Sequence, residues 1–214
     1  MNATENNERS REMAGILPAL QICFEFVDGS RRVFIQHDLE TANGIRRQIN
    51  PFHLFNQARI VVADDYSKSV FVCSQINRID LIFNGSGFPA IPPDHADLIE
   101  LDEAEFQERV PLNELTRLER RDQPRQVGDL MVSFLDLMMV GGTHVYLMNE
   151  TLVKLPLENH SFMQRLLSKG PYCIRHREGG IGVLNTRNLI GYTVYPGVPE
   201  VPADTWMAQP APLQ

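Results

Sequence analysis

The chain carries the same succession of apolar runs and turns twice, and that repetition limits what it can fold into. Residues from about Ile22 to Gly85 read as hairpin, helical stretch, hairpin and closing strand, and residues from about Val132 to Gly197 read in the same order. In the first copy Phe26-Val27-Asp28-Gly29-Ser30 precedes Arg32-Val33-Phe34-Ile35; in the second Met139-Val140-Gly141-Gly142-Thr143 precedes His144-Val145-Tyr146-Leu147. Gly after Asp, or a Gly pair, supplies the positive φ that tight hairpins need. Ile22, Phe24 and Phe26 alternate with Cys23, Glu25 and Val27, the period of two of a strand with one face more buried. Ile76 to Phe83 and Leu189 to Tyr195 close the two copies, each followed by turn residues. The copies align at an interval of about 112 residues, which sets Val33-Phe34-Ile35 against Val145-Tyr146-Leu147.

The segments between the strands follow the same plan. In the first copy Asp38 or Thr41 caps a short helix over Ala42 to Ile49, which Gly44 weakens and Pro51 ends. Ala58 to Ala63 and Ser69 to Ser74 form a hairpin around Asp64-Asp65. In the second copy Asn159 or Ser161 caps Phe162 to Leu167, Gly170-Pro171 stops it, and Tyr172 to His176 pairs with Ile181 to Asn185 around Glu178-Gly179-Gly180. The expected fold is α+β: a tandem duplication of a small, strongly bent antiparallel unit in the order β-β-α-β-β. In outline that order resembles small SH3-like or Sm-like barrels, an architecture that hosts many functions. The two units are expected to pack about a pseudo-two-fold axis and leave a groove between them.

Outside the copies the character changes. The expected divisions are a disordered arm at 1–15, the first repeat at 16–87, a connector at 88–126, the second repeat at 127–197 and a Pro-rich tail at 198–214. In the connector, Ala96 to Leu101 reads as a short strand and Asp102 caps a helix over Glu103 to Val110. Pro111 interrupts it before a second short helix over Leu112 to Arg121. Trp206, the only tryptophan, is a candidate anchor for the tail.

Charge and cysteine content then restrict function. The net charge is −7, yet Ile16 to Ser86 holds seven acids and seven bases and Val127 to Glu200 holds six and six, so the excess acid lies outside the repeats. Nucleic-acid binding, which needs clustered Lys and Arg, is therefore disfavoured. A stacking surface of Phe34, Phe52, Phe55 and Tyr66 is the one route to single-stranded nucleic acid. Cys23, Cys73 and Cys173 sit inside apolar runs without CxxC spacing, which fits structural thiols in a reducing compartment. No apolar run reaches the roughly 18 to 20 residues that span a bilayer, and Met1 to Met13 has neither signal- nor transit-peptide character. The expected location is cytoplasmic, with no membrane association.

Chemistry-bearing patterns are sparse. The histidines His37, His53, His95, His144, His160 and His176 lack metal-ligand spacing, so no metal or cofactor is expected. Asp64-Asp65 and the Gly pairs fit turn chemistry better than cation or phosphate binding. No GxSxG and no Ser, His and Asp set marks a hydrolase. What remains is basic: Arg31-Arg32 at the first hairpin tip, Arg46-Arg47 in the helical segment, and Arg175 and Arg177 flanking His176. Guanidiniums gathered on one face bind phosphate or acidic partners. The reading is a non-enzymatic binding or scaffold module acting through the groove or surface between the repeats. Its partner is a protein or a second copy, forming a homo-oligomer. The alternative is a small-anion-binding protein or enzyme using Arg46, Arg47, His53, Arg175 and His176 at that seam.

Overall fold

Gly29 and Gly142 hold φ of 78° and 83° at matched hairpin turns, and the strands that they join organise the molecule. The computed structural model of the chain describes residues 17–64, 66–84, 98–119, 128–152, 172–176 and 180–195. In chain order these form β1 (Leu20–Phe26), β2 (Arg31–Gln36), α1 (Leu39–Gln48), β3 (Arg59–Ala63), β4 (Lys68–Val72), β5 (Ile76–Phe83), β6 (Leu98–Leu101) and α2 (Glu103–Glu119). Then follow β7 (Leu130–Met139), β8 (His144–Leu152), β9 (Tyr172–Arg175), β10 (Ile181–Leu184) and β11 (Leu189–Tyr195). The fold is α+β and mostly sheet. Nine strands make one open sheet in the order β11-β7-β8-β6-β9-β10-β5-β1-β2, and β3 and β4 form a separate hairpin. All pairings are antiparallel except β6 with β9.

The two halves share their local pairing in detail. β1 lies between β2 and β5, and β7 lies between β8 and β11. Phe26 faces Ile76 and Glu25 faces Arg78, so Asn77 is bulged out; Met139 faces Leu189 and Met138 faces Gly191, so Ile190 is bulged out. An extra residue of this kind bends and twists its strand. A 3-10 turn precedes each closing strand, at Cys73–Gln75 and Thr186–Asn188. The Phe26 N–H donates to Ser30 and the Met139 N–H to Thr143; the Val27 N–H donates to Gln75 and the Val140 N–H to Asn188. Each equivalent pair is separated by 113 residues, as Phe26 is from Met139.

That interval corrects the sequence alignment by one residue. Phe34 is equivalent to Leu147, and Val33 to Tyr146. A slip of one residue turns every side chain to the opposite face. The alignment at 112 set Val33, which is 54% exposed, against Val145, which is 4% exposed. Matching apolar residue types misled the alignment, whereas the turn hydrogen bonds fix the register.

The halves join where β10 pairs with β5, with Val183 opposite Ile79 and Gly182 opposite Asp80. This corrects the expected pseudo-two-fold packing, which pairs like strands. Here a fourth strand meets a closing strand, so the arrangement is head to tail, and a strand ladder occupies the place expected for a groove. β6, from the segment between β5 and β7, inserts between β8 and β9.

The β9–β10 hairpin is buried on both faces, which explains its unbroken apolar character. Tyr172, Ile174 and Leu184 face a core made with Leu98, Leu135, Leu137, Met139, Val145 and Leu147. Cys173, Ile181 and Val183 face the other core, with Phe24, Phe55, Ile76, Ile79 and Leu81. Full burial of each such side chain is worth about 1.5–3 kcal/mol. Phe24 lies 4.8 Å from Phe71 and 5.8 Å from Phe34 between ring centroids, which seats the β3–β4 hairpin on β1 and β2.

α1 starts at Asp38, whose carboxylate accepts the Thr41 N–H, and ends before Pro51 as expected. α2 differs from expectation. It runs unbroken from Glu103 to Glu119 with Pro111 inside. Asp102 caps it through the Glu105 N–H, and Phe106 and Val110 dock on Phe134, Tyr146, Met148 and Tyr195. Anchoring on the sheet offsets the roughly 3 kcal/mol that an internal proline costs a helix. The helix expected at Phe162 to Leu167, the arm and the tail with Trp206 lie outside the described residues.

Candidate functional site

Arg78 and Asp80 stand two residues apart in β5, so both side chains leave the same face of the sheet. In a buried strand whose other residues, Asn77 apart, are apolar, that pair demands partners. Glu100 of β6 and His176, just after β9, supply them. Arg78 donates from Nε to Asp80 Oδ1 and grips Glu100 with both terminal nitrogens, Nη2 lying 2.7 Å from Oε2. His176 places Nε2 3.1 Å from Asp80 Oδ1 and Nδ1 3.3 Å from Glu100 Oε2. Gly182 makes room for the group: a Cβ there would lie 2.9 Å from Asp80 Oδ1 and 3.2 Å from Arg78 Nη2.

Electrostatics within the cluster is mutual. Burial opposes ionisation of Glu100, but hydrogen bonds from His176 and Arg78 prevail and hold it at about 2. Asp80 is lowered by the same contest, burial against His176 and Arg78. Burial likewise opposes the charge on His176, and Asp80 and Glu100 overcome it and raise the imidazolium to about 9. Arg78 is raised above its ordinary range, burial being outweighed by Glu100 and Asp80. Two cations thus neutralise two anions. The four groups form a mutually satisfied set of ion pairs.

A pH dependence follows. The His176 pKa is raised from 6.5 to about 9, so its contribution is complete below pH 6.5 and is lost as pH rises through about 9. The Glu100 pKa is lowered from 4.5 to about 2, so its contribution is complete above pH 4.5 and is lost as pH falls through about 2. Unfolding stability is expected to be highest between these limits and to fall on the alkaline side by at most about 3 kcal/mol. Urea titrations below pH 6.5 and above pH 9 measure the fall, and His176→Asn is expected to flatten it.

Beside the ion cluster, an asparagine lattice ties the two 3-10 turns together. Asn185 Nδ2 donates to the carbonyls of Cys73 and Ile76, and Asn188 Nδ2 donates to Ser74, Ile76 and Asn77 Oδ1. Asn77 in turn donates to the Val140 carbonyl at 2.7 Å. Arg187 reaches across to the Phe55 carbonyl and Asn56 Oδ1, both at 2.9 Å.

The residues singled out from sequence are spread more widely. Arg31 is paired with Glu25 across the first hairpin, and Arg32 is exposed on β2. Arg46 and Arg47 occupy the last turn of α1. His53 lies in a following 3-10 turn, 3.2 Å from Asn56. Arg175 is exposed at the end of β9, and Arg177 lies outside the described residues. Of the described members of this set, His176 alone enters the ion cluster. Sequence reasoning missed Arg78, Asp80 and Glu100, although charged residues at alternate positions of an apolar strand were the available signal. Phe34 packs in the aromatic cluster and Phe55 is buried, which removes both from a base-stacking surface.

The Asp64 carboxylate accepts the N–H groups of Tyr66 and Ser67, a turn role. The three cysteines are buried and form no disulfide, and burial pushes the Cys173 thiol up to about 12, far from a reactive thiolate. Among the described residues no group of three His, Cys, Asp or Glu side chains is placed to hold a metal ion, and no helix is long and apolar enough to cross a membrane. The chain matches no family model, no curated protein and no solved structure.

Proposed function

We propose that the protein is a non-enzymatic binding scaffold, built from two copies of one β-β-α-β-β unit that is SH3-like or Sm-like in outline. The observation that carries this reading is the neutral ion cluster at the seam. Arg78, Asp80, Glu100 and His176 satisfy one another, so the polar groups gathered there join the units. The 113-residue interval of turns, bulges and 3-10 turns supports duplication. Surface for a protein partner comes from exposed apolar side chains on the strands. Val61 and Val70 stand opposite each other on β3 and β4 with Val72 beside them, and Ile190 and Tyr192 line β11.

Titration with inorganic phosphate and nucleotides, followed by thermal unfolding at constant ionic strength, separates this reading from small-anion binding at Arg175 and His176. A specific ligand at a hundred times its Kd adds about 2.7 kcal/mol, or roughly 5–10 °C for a chain of this size. The scaffold reading expects no saturable rise. A saturable rise that disappears in Arg175→Ala overturns it in favour of the anion-binding alternative.

A further inference from the structure

The internal seam shows how one half grips the other, and the counterparts of its two strands each keep an edge without a strand partner among the described residues. Within the chain the fourth strand of the second half, β10, pairs with the closing strand of the first, β5. The equivalents of these two strands, 113 residues away, are β4 and β11. β4 is paired only with β3, and β11 only with β7, among the described residues. We propose, resting on the scaffold reading above, that β4 of one copy pairs antiparallel with β11 of a second copy, giving a head-to-tail assembly.

The register follows from the seam. Ile181 faces Leu81, Gly182 faces Asp80, Val183 faces Ile79 and Leu184 faces Arg78. Shifted by 113 residues, Lys68 faces Val194, Ser69 faces Thr193, Val70 faces Tyr192 and Phe71 faces Gly191. One step on, the Asn185 N–H donates to the Asn77 carbonyl at 2.8 Å, which places Val72 against Ile190. The side chains suit these pairings. Val183 and Ile79 are 0% and 2% exposed at the seam, while Val70 and Tyr192 are 47% and 49% exposed at the free edges. Val72 and Ile190, 51% and 58% exposed, match in the same way.

Edge strands are usually guarded by charge or proline because an open edge recruits other chains. β2 conforms, with Arg31 and Arg32. β11, Leu-Ile-Gly-Tyr-Thr-Val-Tyr, carries no charged residue, and β4 has only Lys68 at its start. The ion cluster is not reproduced: Gly182 and Asp80 become Ser69 and Thr193, and Lys68 at the end of β4 is the one charged residue in the paired stretch. A join of unlike surfaces propagates into a ring when its rotation closes and into a filament when it does not.

Cysteine pairing on the full chain tests this. Val70→Cys and Tyr192→Cys chains, mixed and oxidised, are expected to give a covalent two-chain species, whereas each variant alone remains uncrosslinked. Wild type is expected to exceed monomer mass in light scattering over a wide salt range. Val70→Asp is expected to bring it to monomer mass with an unchanged circular dichroism spectrum. A wild type of monomer mass, or self-crosslinking of Val70→Cys alone, overturns the head-to-tail pairing. A monomer that still shows no saturable anion response leaves the scaffold reading standing; a saturable response removes that reading whatever the mass.

Discussion

Gly141→Ala is expected to destabilise the fold by about 3–5 kcal/mol, near the upper end for a single substitution. Two effects combine. Gly141 has a φ of 90°, where a side chain strains the backbone by roughly 1–2 kcal/mol. A Cβ there would also lie 1.7 Å from the Val27 carbonyl oxygen, a backbone atom that cannot rotate away. Gly142→Ala provides the comparison, because Gly142 has a φ of 83° but nothing within 4 Å of its missing Cβ. It is expected to cost only the strain, about 1–2 kcal/mol. The difference between the two, measured by urea unfolding, isolates the contact between the hairpins. Equal costs would show that Val27 and Gly141 do not touch in solution. The equivalent of Gly141 in the first half is Asp28, whose carboxylate accepts the Ser30 N–H. Glycine thus stands at the second of these positions in both turns, as Gly29 and Gly142, but at the first only as Gly141, where the positive φ and the contact with Val27 both call for it.

Arg78→Met is expected to cost about 3–5 kcal/mol, the usual penalty for removing one member of a buried ion pair. The change leaves Asp80 and Glu100 close together with only His176 to offset them. Loss of the guanidinium also raises the pKa of both carboxylates, so the deficit is expected to shrink in acid and grow as the pH rises past neutrality. Met fills much of the same volume, which confines the effect to charge. Arg78→Met combined with Asp80→Asn and Glu100→Gln is expected to recover part of the loss, since it removes the stranded anions as well. Denaturant titration of the single and triple variants across pH measures this. A single variant within about 0.5 kcal/mol of wild type, the range of ordinary surface substitutions, would mean that the cluster does not join the halves.

Local pattern made much of this fold legible. Alternating apolar residues around Asp28-Gly29 and Gly141-Gly142 marked both hairpins, Asp38 and Pro51 bounded α1, and Asp102 marked the start of α2. These signals involve neighbours in sequence, where φ, capping and period two act directly. The continuity of α2 through Pro111 was not legible, because the packing of Phe106 and Val110 on Phe134 and Tyr146 offsets a local penalty. Nor was the 113-residue correspondence of the hairpin turns, because apolar side chains of similar type match almost as well one residue out of step.

The sequence by itself determined the strands, their turns and the capped helix starts, since each depends on residues within a few positions of one another. Only the tertiary structure decided how the halves meet. β10 lies about 100 residues from β5, and Glu100 and His176 reach Arg78 and Asp80 from separate strands. Two apolar hairpins have many ways to bury their faces. Hydrogen-bond register along β5 and β10, and neutralisation of the buried Arg78 charge, select one. That selection turned a set of dispersed charged residues into a seam.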